Sequence, residues 1–383
     1  MPHVYLDHAA STPLLPAARD AIHLALAAAG NPSSAHSAGR HARRLLEDAR
    51  DRVAALLGAT PAEVVFTSGA TEANNLAIFG LAHASRQRES PGHVENLATR
   101  LASSPIEHPC VVEPLRQLAA AGLPVTWLPV RSHGVVETKA VLDLITADTR
   151  LVTLMLANHE TGAVQPVREV AHALRGQIHV HTDAAQAVGK IPVNFRGLGV
   201  ATLTASAHKF GGPAGVGLLL VRDGVQLRPQ MFGGHQQRGH RPGTEPVALA
   251  VGLAAALEHS TANLAANIDA VTALRATFVG RLGLTEHVVN SPPDALPHIL
   301  NVSFPGCRSE LLLMALDLAG VACSTGSACS SGSLLPSPVL EAMGVPPIVL
   351  DSAMRFSFSP SQTIAEVEWA ADRVVECVRR LRG

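Results

Sequence analysis

Lysine is nearly missing from this chain. Of 30 Lys and Arg residues only Lys139, Lys190 and Lys209 are lysines, which leaves 27 arginines. Where arginine supplies almost every surface cation, a lysine inside the apolar, glycine-rich stretch SAHKFGGPAGVG marks Lys209 for chemistry. An amine in a desolvated pocket sheds its proton readily and becomes a nucleophile toward aldehydes, the usual Schiff-base partner of pyridoxal phosphate. A snorkelling surface lysine is the commoner fate of any single lysine, so the neighbouring motifs have to decide.

Net charge is scarce as well. At a formal charge of −1, with arginines spread along the chain, there is no field to draw in nucleic acid or an acidic membrane surface. The opening MPHVYLDHAAST lacks a charged segment followed by an apolar run, and no stretch nears the roughly 18 apolar residues of a membrane helix. The chain is therefore read as cytoplasmic. Its five cysteines (Cys110, Cys307, Cys323, Cys329, Cys377) are odd in number and none forms a CxxC pair, which argues against a disulfide framework or a zinc knuckle. The 19 histidines invite a metal reading, and His179 and His181 would share a strand face. No carboxylates or cysteines cluster with them, and no metal is expected. Internal repeats and heptads are absent too.

What is present is a large apolar fraction, 47% of 383 residues, enough for one large domain and a smaller one. Short apolar or β-branched runs at 63–67, 124–128, 150–156, 178–184, 201–207 and 216–221 alternate with amphipathic stretches. This rhythm predicts an α/β fold, a mostly parallel sheet with helices on both faces. A long Ala- and Leu-rich helix over 246–283 should lead into a smaller α+β domain, with strands near 286–289, 299–304 and 353–358 and helices over 309–318 and 363–382. The expected division is a large domain over residues 16–250 and a small one from 1–15 and 251–383.

Four constellations carry chemistry. VVFTSGATEANN reads as strand, turn and helix start, with Gly69, Ala70 and Thr71 presenting N–H groups to a phosphate. HTDAAQAVGK puts Asp183 at a strand's carboxyl end, where open α/β sheets bind ligands and a carboxylate can keep a pyridine nitrogen protonated. Gln186, three residues on, could donate to the ring's phenolate oxygen; Asp183 as an ordinary helix cap is the plainer alternative. SPIEHPCVV places His108 between a strand and a helix opening with Pro109, where an imidazole can stack on a ring and move protons. In GVACSTGSACSSGSLLPS, Cys329 lies amid small residues that let a thiol travel, whereas Cys323 ends an apolar run and reads as structural.

Taken together, YLDHAASTPL, NPSSAHSAGR, FTSGATEANN, IEHPCVV, ANHETGAVQPV, HTDAAQAVGK, SAHKFGGPAGVG, RPGTEP, GSACSSGS and MRFSFS resemble, in order and over nearly the whole chain, the cysteine desulfurases. These are class V aminotransferase-like enzymes of pyridoxal phosphate fold type I, and the GSAC loop resembles the subgroup whose cysteine rides a mobile loop. The resemblance implies Lys209 as the cofactor lysine, His108 stacked on the ring, Asp183 on the pyridine nitrogen and Gln186 on the ring oxygen. It further implies Ala70, Thr71, Ser206 and His208 at the phosphate, joined by Thr244 from the second subunit of a homodimer. Arg355, helped by Asn158, would clamp the substrate carboxylate. The implied reaction converts L-cysteine to L-alanine and leaves sulfur on Cys329 as a persulfide for a protein acceptor. That acceptor stays open among iron–sulfur scaffolds, tRNA thiolation proteins and DNA or cofactor sulfuration systems.

Three departures stand out. The segment before His108 is longer than the family's, which suggests a surface insertion; Gln237 replaces a usual glutamate, which should touch the dimer contact more than the chemistry; and the chain stops at Gly383 without the tail that docks scaffolds. A selenocysteine lyase or a small-amino-acid aminotransferase is the nearest rival, though an aminotransferase needs no travelling cysteine. A non-catalytic assembly partner would be free to lose Lys209, Asp183 or Cys329, and all three are kept.

Overall fold

The computed structural model describes residues 3–28, 30–85, 100–325 and 336–383. Strand β1 (Val4–Tyr5) precedes helices α1 (Pro16–Leu26) and α2 (Ser37–Leu57). An alternating stretch follows: β2 (Val64–Thr67), α3 (Ala70–Ser85), β3 (Arg100–Ser103), α4 (Pro109–Ala120), β4 (Val125–Trp127), α5 (Thr138–Leu144), β5 (Thr149–Thr153), α6 (Val167–Ala173), β6 (His179–Asp183), α7 (Phe195–Leu198), β7 (Thr202–Ser206) and β8 (Gly217–Val221). After it come α8 (Val247–Ala262), α9 (Leu264–Leu282), β9 (Val288–Val289), β10 (Ile299–Ser303), α10 (Ser309–Leu318) and β11 (Val321–Ala322). The chain closes with α11 (Pro338–Ala342), α12 (Pro347–Leu350), β12 (Ala353–Ser357) and α13 (Ile364–Arg382).

Seven strands form the main sheet in the order β2-β8-β7-β6-β5-β3-β4. All run parallel except β8, which is antiparallel to both β2 and β7. Every residue of β2, β7 and β8 is buried, which is why these strands read as unbroken apolar or Thr-rich runs without alternation. Their side chains form one core with α2 and α8, including Leu46, Val53, Phe66, Leu203, Leu218, Leu253 and Leu257. Each such side chain contributes about 1.5–3 kcal/mol relative to leaving it in water.

A second core lies around the antiparallel sheet β12-β10-β9 and the parallel pair β1-β11, where Phe278, Phe304, Phe356 and Phe358 meet α13. Helix α13 starts at a reciprocal cap: Thr363 accepts from the Glu366 N–H, and the Glu366 carboxylate accepts from the Thr363 N–H. The helix expected to run unbroken over 246–283 is two helices, α8 and α9, bent by 72° at Asn263. Both halves follow their own core: Leu253 and Leu257 pack with the large sheet, Val271 and Phe278 with the small one. We propose the domain division at this bend, later than residue 250. Among the described residues no single helix is long and apolar enough to cross a membrane, and no group of His, Cys, Asp and Glu could hold a metal.

Gln237 is turned into its own chain. Buried, and with φ 48°, it accepts from the Phe66 N–H at 2.8 Å and from Arg50 at 3.1 Å, and its amide donates to Glu245. The segment before His108 that suggested an insertion lies largely outside the described residues.

Candidate active site

The site forms at the carboxyl edge of the main sheet. β2 ends at Thr67, and the chain turns through Ser68 and Gly69 into the first turn of α3 at Ala70. Unpaired N–H groups and the helix dipole make such a start favourable to a phosphate. The turn presses on β8: a Cβ on Gly217 would meet Gly69 Cα at 2.7 Å and the Ala205 carbonyl oxygen at 2.8 Å, so only glycine allows the approach. Glu72 accepts from the Ser68 N–H at 2.8 Å and pairs with Arg241 at 2.9 Å, tying the RPGTEP segment to this turn. Burial pushes the Glu72 carboxyl up, but the bonds from Arg241 and Ser68 outweigh it and hold it below its ordinary value.

Asp183 is the last residue of β6. Its Oδ1 accepts from the Ala185 N–H at 2.9 Å, the local cap expected of it, and its Oδ2 accepts from the Asn74 amide at 2.7 Å. Asn74 is in turn fixed by His181, whose Nε2 lies 3.0 Å from Asn74 Oδ1 and whose Nδ1 lies 2.9 Å from Thr202 Oγ1. Burial lowers the His181 pKa to about 4, so the ring is neutral with a single N–H. Since Asn74 donates to the carboxylate, its Oδ1 must accept; the network therefore assigns the His181 proton to Nε2 and makes the Thr202 hydroxyl the donor to Nδ1. Gln186 Nε2 donates to the Ala9 carbonyl at 3.0 Å.

Lys209 ends a short 3-10 turn that follows β7, and its Nζ donates to the carbonyls of Ala9 at 2.8 Å and Ala10 at 3.0 Å. His108 caps α4, accepting at Nδ1 from the Cys110 N–H at 3.2 Å, with Cys110 Sγ 2.9 Å from the same nitrogen. Pro109 follows at a position where its missing N–H leaves nothing unpaired. Burial lowers the His108 pKa more than Asp183 raises it, so the imidazole is neutral at pH 7. His159 meets it edge-on, ring centres 5.1 Å apart at 70°.

Eight of the expected residues line one cavity of about 500 Å³: Ala70, Thr71, His108, Asp183, Gln186, Ser206, His208 and Lys209. Its size is that of a small-molecule or cofactor site. His159 and Cys110 line it too, and Asn74 holds Asp183 from behind; none of these three was assigned a role from sequence, although all sit inside the quoted motifs. Three expected residues are not among the lining side chains. Asn158 is fully buried and spent on its own loop, donating to the Ile106 carbonyl at 3.0 Å and accepting from the Glu160 and Thr161 N–H groups. Arg355, 1% exposed, pairs with Asp7 at 2.7 Å and donates to the His159 carbonyl at 3.0 Å, and its Nε has no partner among the described residues. Thr244 is exposed. Cys329 lies outside the described residues.

The aminotransferase class-V family matches residues 4–369. The chain belongs to this family. Relatives sharing 39% identity include a putative cysteine desulfurase, IscS 1, of Bacillus subtilis over 100% of both chains, and an IscS-like cysteine desulfurase of Mycobacterium tuberculosis over 99% of this chain and 97% of that one. Among solved structures, a NifS-like protein is 34% identical with a TM-score of 0.91, covering 99% of this chain and 100% of its own. The SspA protein in complex with cysteine is 33% identical with a TM-score of 0.81, covering 94% and 99%. Within the class-V family the likeness is thus to cysteine desulfurases, and the cofactor is pyridoxal 5'-phosphate. The cavity fits it: a glycine-tight phosphate turn at one end, a lysine amine, and a carboxylate at the foot of a strand.

Proposed function

We propose that this chain is a cysteine desulfurase in which Lys209 holds the cofactor and Cys329 takes the sulfur of L-cysteine. The observation carrying this reading is the convergence of Lys209, Asp183, His108 and the Gly69–Thr71 turn on one cavity. Bound pyridoxal phosphate supplies an electron sink that renders the amino acid's Cα proton acidic. Lys209 would hold the cofactor, and its amine, when free, could serve as a base in the cavity. Asp183 would hold a proton on the ring nitrogen, and Gln186 would donate to the ring oxygen. Neutral His108 would stack on the ring and can accept a proton at working pH. Ala70, Thr71, Ser206 and His208 receive the phosphate. Arg355 would take the substrate carboxylate, and Asn158 shapes the loop beside it. The Cys329 thiolate attacks the substrate sulfur, the C–S bond breaks with its electron pair going to Cβ, and protonation gives alanine and a Cys329 persulfide. Burial pushes the thiols of Cys110, Cys307, Cys323 and Cys377 up, so no described cysteine is a ready thiolate, which supports Cys329.

A relative bound to cysteine supports the substrate. The same proposal includes a homodimer in which Thr244 reaches the partner's phosphate site, a cytoplasmic location, and transfer to a protein acceptor without direct nucleic-acid contact, consistent with the near-zero net charge. The test is Cys329→Ser. It should keep the cofactor spectrum and its response to L-cysteine while alanine and sulfide production collapse. Alanine release at the wild-type rate would refute the assignment.

A further inference from the structure

A second cavity, of about 80 Å³, lies at the bend between α8 and α9, where the large-sheet core meets the small one. Lys190, from the turn after β6, and His298, just ahead of β10, both line it. His298 is 2% exposed, and among the described residues neither its Nδ1 nor its Nε2 has a hydrogen-bond partner. A buried imidazole with both nitrogens unpaired is rare in a folded chain and points to an unnamed partner. The Lys190 ammonium makes no hydrogen bond among the described residues, and its burial alone lowers its pKa to about 8. The groups acting electrostatically on His298 are Lys190, His8, Arg355 and Arg275; Arg355 is paired with Asp7 and burial lowers the His8 pKa to about 4, so Lys190 and Arg275 are the remaining cations, and among the described residues no carboxylate lines the cavity. Such a place has positive potential, hydrogen-bond donors and no counter-charge.

We propose that this cavity binds a small monovalent anion of halide, formate or bicarbonate size, held by Lys190 Nζ and a ring N–H of His298. A water needs only about 10–15 Å³ of such space, so there is room for a small ion with its first waters. Partly desolvating an ammonium without a partner is unfavourable, and an anion relieves that penalty for half-buried Lys190 while giving buried His298 an acceptor. The site also touches the catalytic segment. Thr12, on the cavity wall, donates to the Lys209 carbonyl at 3.1 Å, and Ser260 donates to the Phe210 carbonyl at 3.0 Å. An occupied cavity therefore braces the backbone that carries Lys209 against the inter-core seam.

The experiment uses holoenzyme and bromide. Crystals grown in sodium bromide and measured at the bromine edge should show an anomalous peak in contact with Lys190 Nζ and His298. In solution, sodium bromide should raise the melting temperature saturably, by about 2 °C more than sodium gluconate at equal ionic strength. Lys190→Met should abolish that excess. Should this variant fail to fold, the diffraction measurement on the wild-type protein decides alone. A cavity without anomalous signal, or equal melting shifts in the two salts, overturns the proposal. Neither readout includes a desulfurase step, so the site stands or falls independently of the proposed activity.

Discussion

Asn74→Ala should weaken cofactor binding by a route that touches no cofactor atom. Two bonds are lost. The amide no longer donates to Asp183 Oδ2 at 2.7 Å, and His181 Nε2 loses its acceptor at 3.0 Å in a fully buried position. A hydrogen bond to a charged acceptor is worth about 1.5–3 kcal/mol, which corresponds to about a tenfold to hundredfold loss in any equilibrium that needs the Asp183 carboxylate. The stranded His181 N–H adds about 1–3 kcal/mol, but that term falls on folding. A control separates the two: His181→Ala should destabilise the chain and leave cofactor affinity nearly intact, since Asn74 still reaches Asp183. The assay is titration of each apo-protein with pyridoxal phosphate, followed by visible absorbance, beside denaturant unfolding. Wild-type affinity in a folded Asn74→Ala protein would refute the relay.

Lys209→Ala should lack the visible absorbance of covalently held cofactor, because Lys139 is surface-exposed and paired with Asp143 and Lys190 lies in the second cavity; wild-type absorbance sinks the assignment. His181 makes stability fall on the acid side. Its folded pKa of about 4 lies below the ordinary 6.5, so its contribution is intact above about pH 6.5 and is lost as pH falls toward 4. Over pH 7 to 5 the loss is about 2 kcal/mol, and His181→Gln should show that much less dependence by denaturant unfolding. In mixed dimers of Lys209→Ala and Thr244→Ala chains, the proposed shared site would give the intact lysine its threonine from the other chain, and that site should bind cofactor normally. The weakened affinity of the Thr244→Ala homodimer in that site would mean Thr244 serves its own chain.

Chemistry that rests on rarity or on a strand end was legible in the residues. Lys209 stands out among arginines, and Asp183 ends a β-branched strand run, so both could be named before any geometry. Asn74 and His159 could not, because their roles arise from tertiary contact: one face of α3 happens to lie over β6, and the loop after β5 happens to swing its imidazole against His108. The bend at Asn263 was hidden because α8 is apolar nearly all round, so the switch of cores changes no periodicity, and Asn is a weaker break signal than Gly or Pro. Strands of two residues, β1 and β11, carry no pattern to read.

The electrostatics of the pocket explain why a phosphate would be met by dipoles. Burial holds His108, His159 and His208 below their ordinary pKa, so all three rings are neutral near pH 7. Burial, with Asp183 nearby, pushes Glu107 up to about 8, so it is mostly protonated at the same pH. Histidine cations and the Glu107 carboxylate are thereby removed from the site, and the donors around the phosphate turn are backbone N–H groups, hydroxyls and neutral His208. Neutral donors fix a dianion's position well, but they compensate its charge poorly. A phosphate seated there would gain from further donors, and the RPGTEP segment, anchored through Arg241 to Glu72 and exposed at Gly243 and Thr244, is where the proposed second chain would supply them.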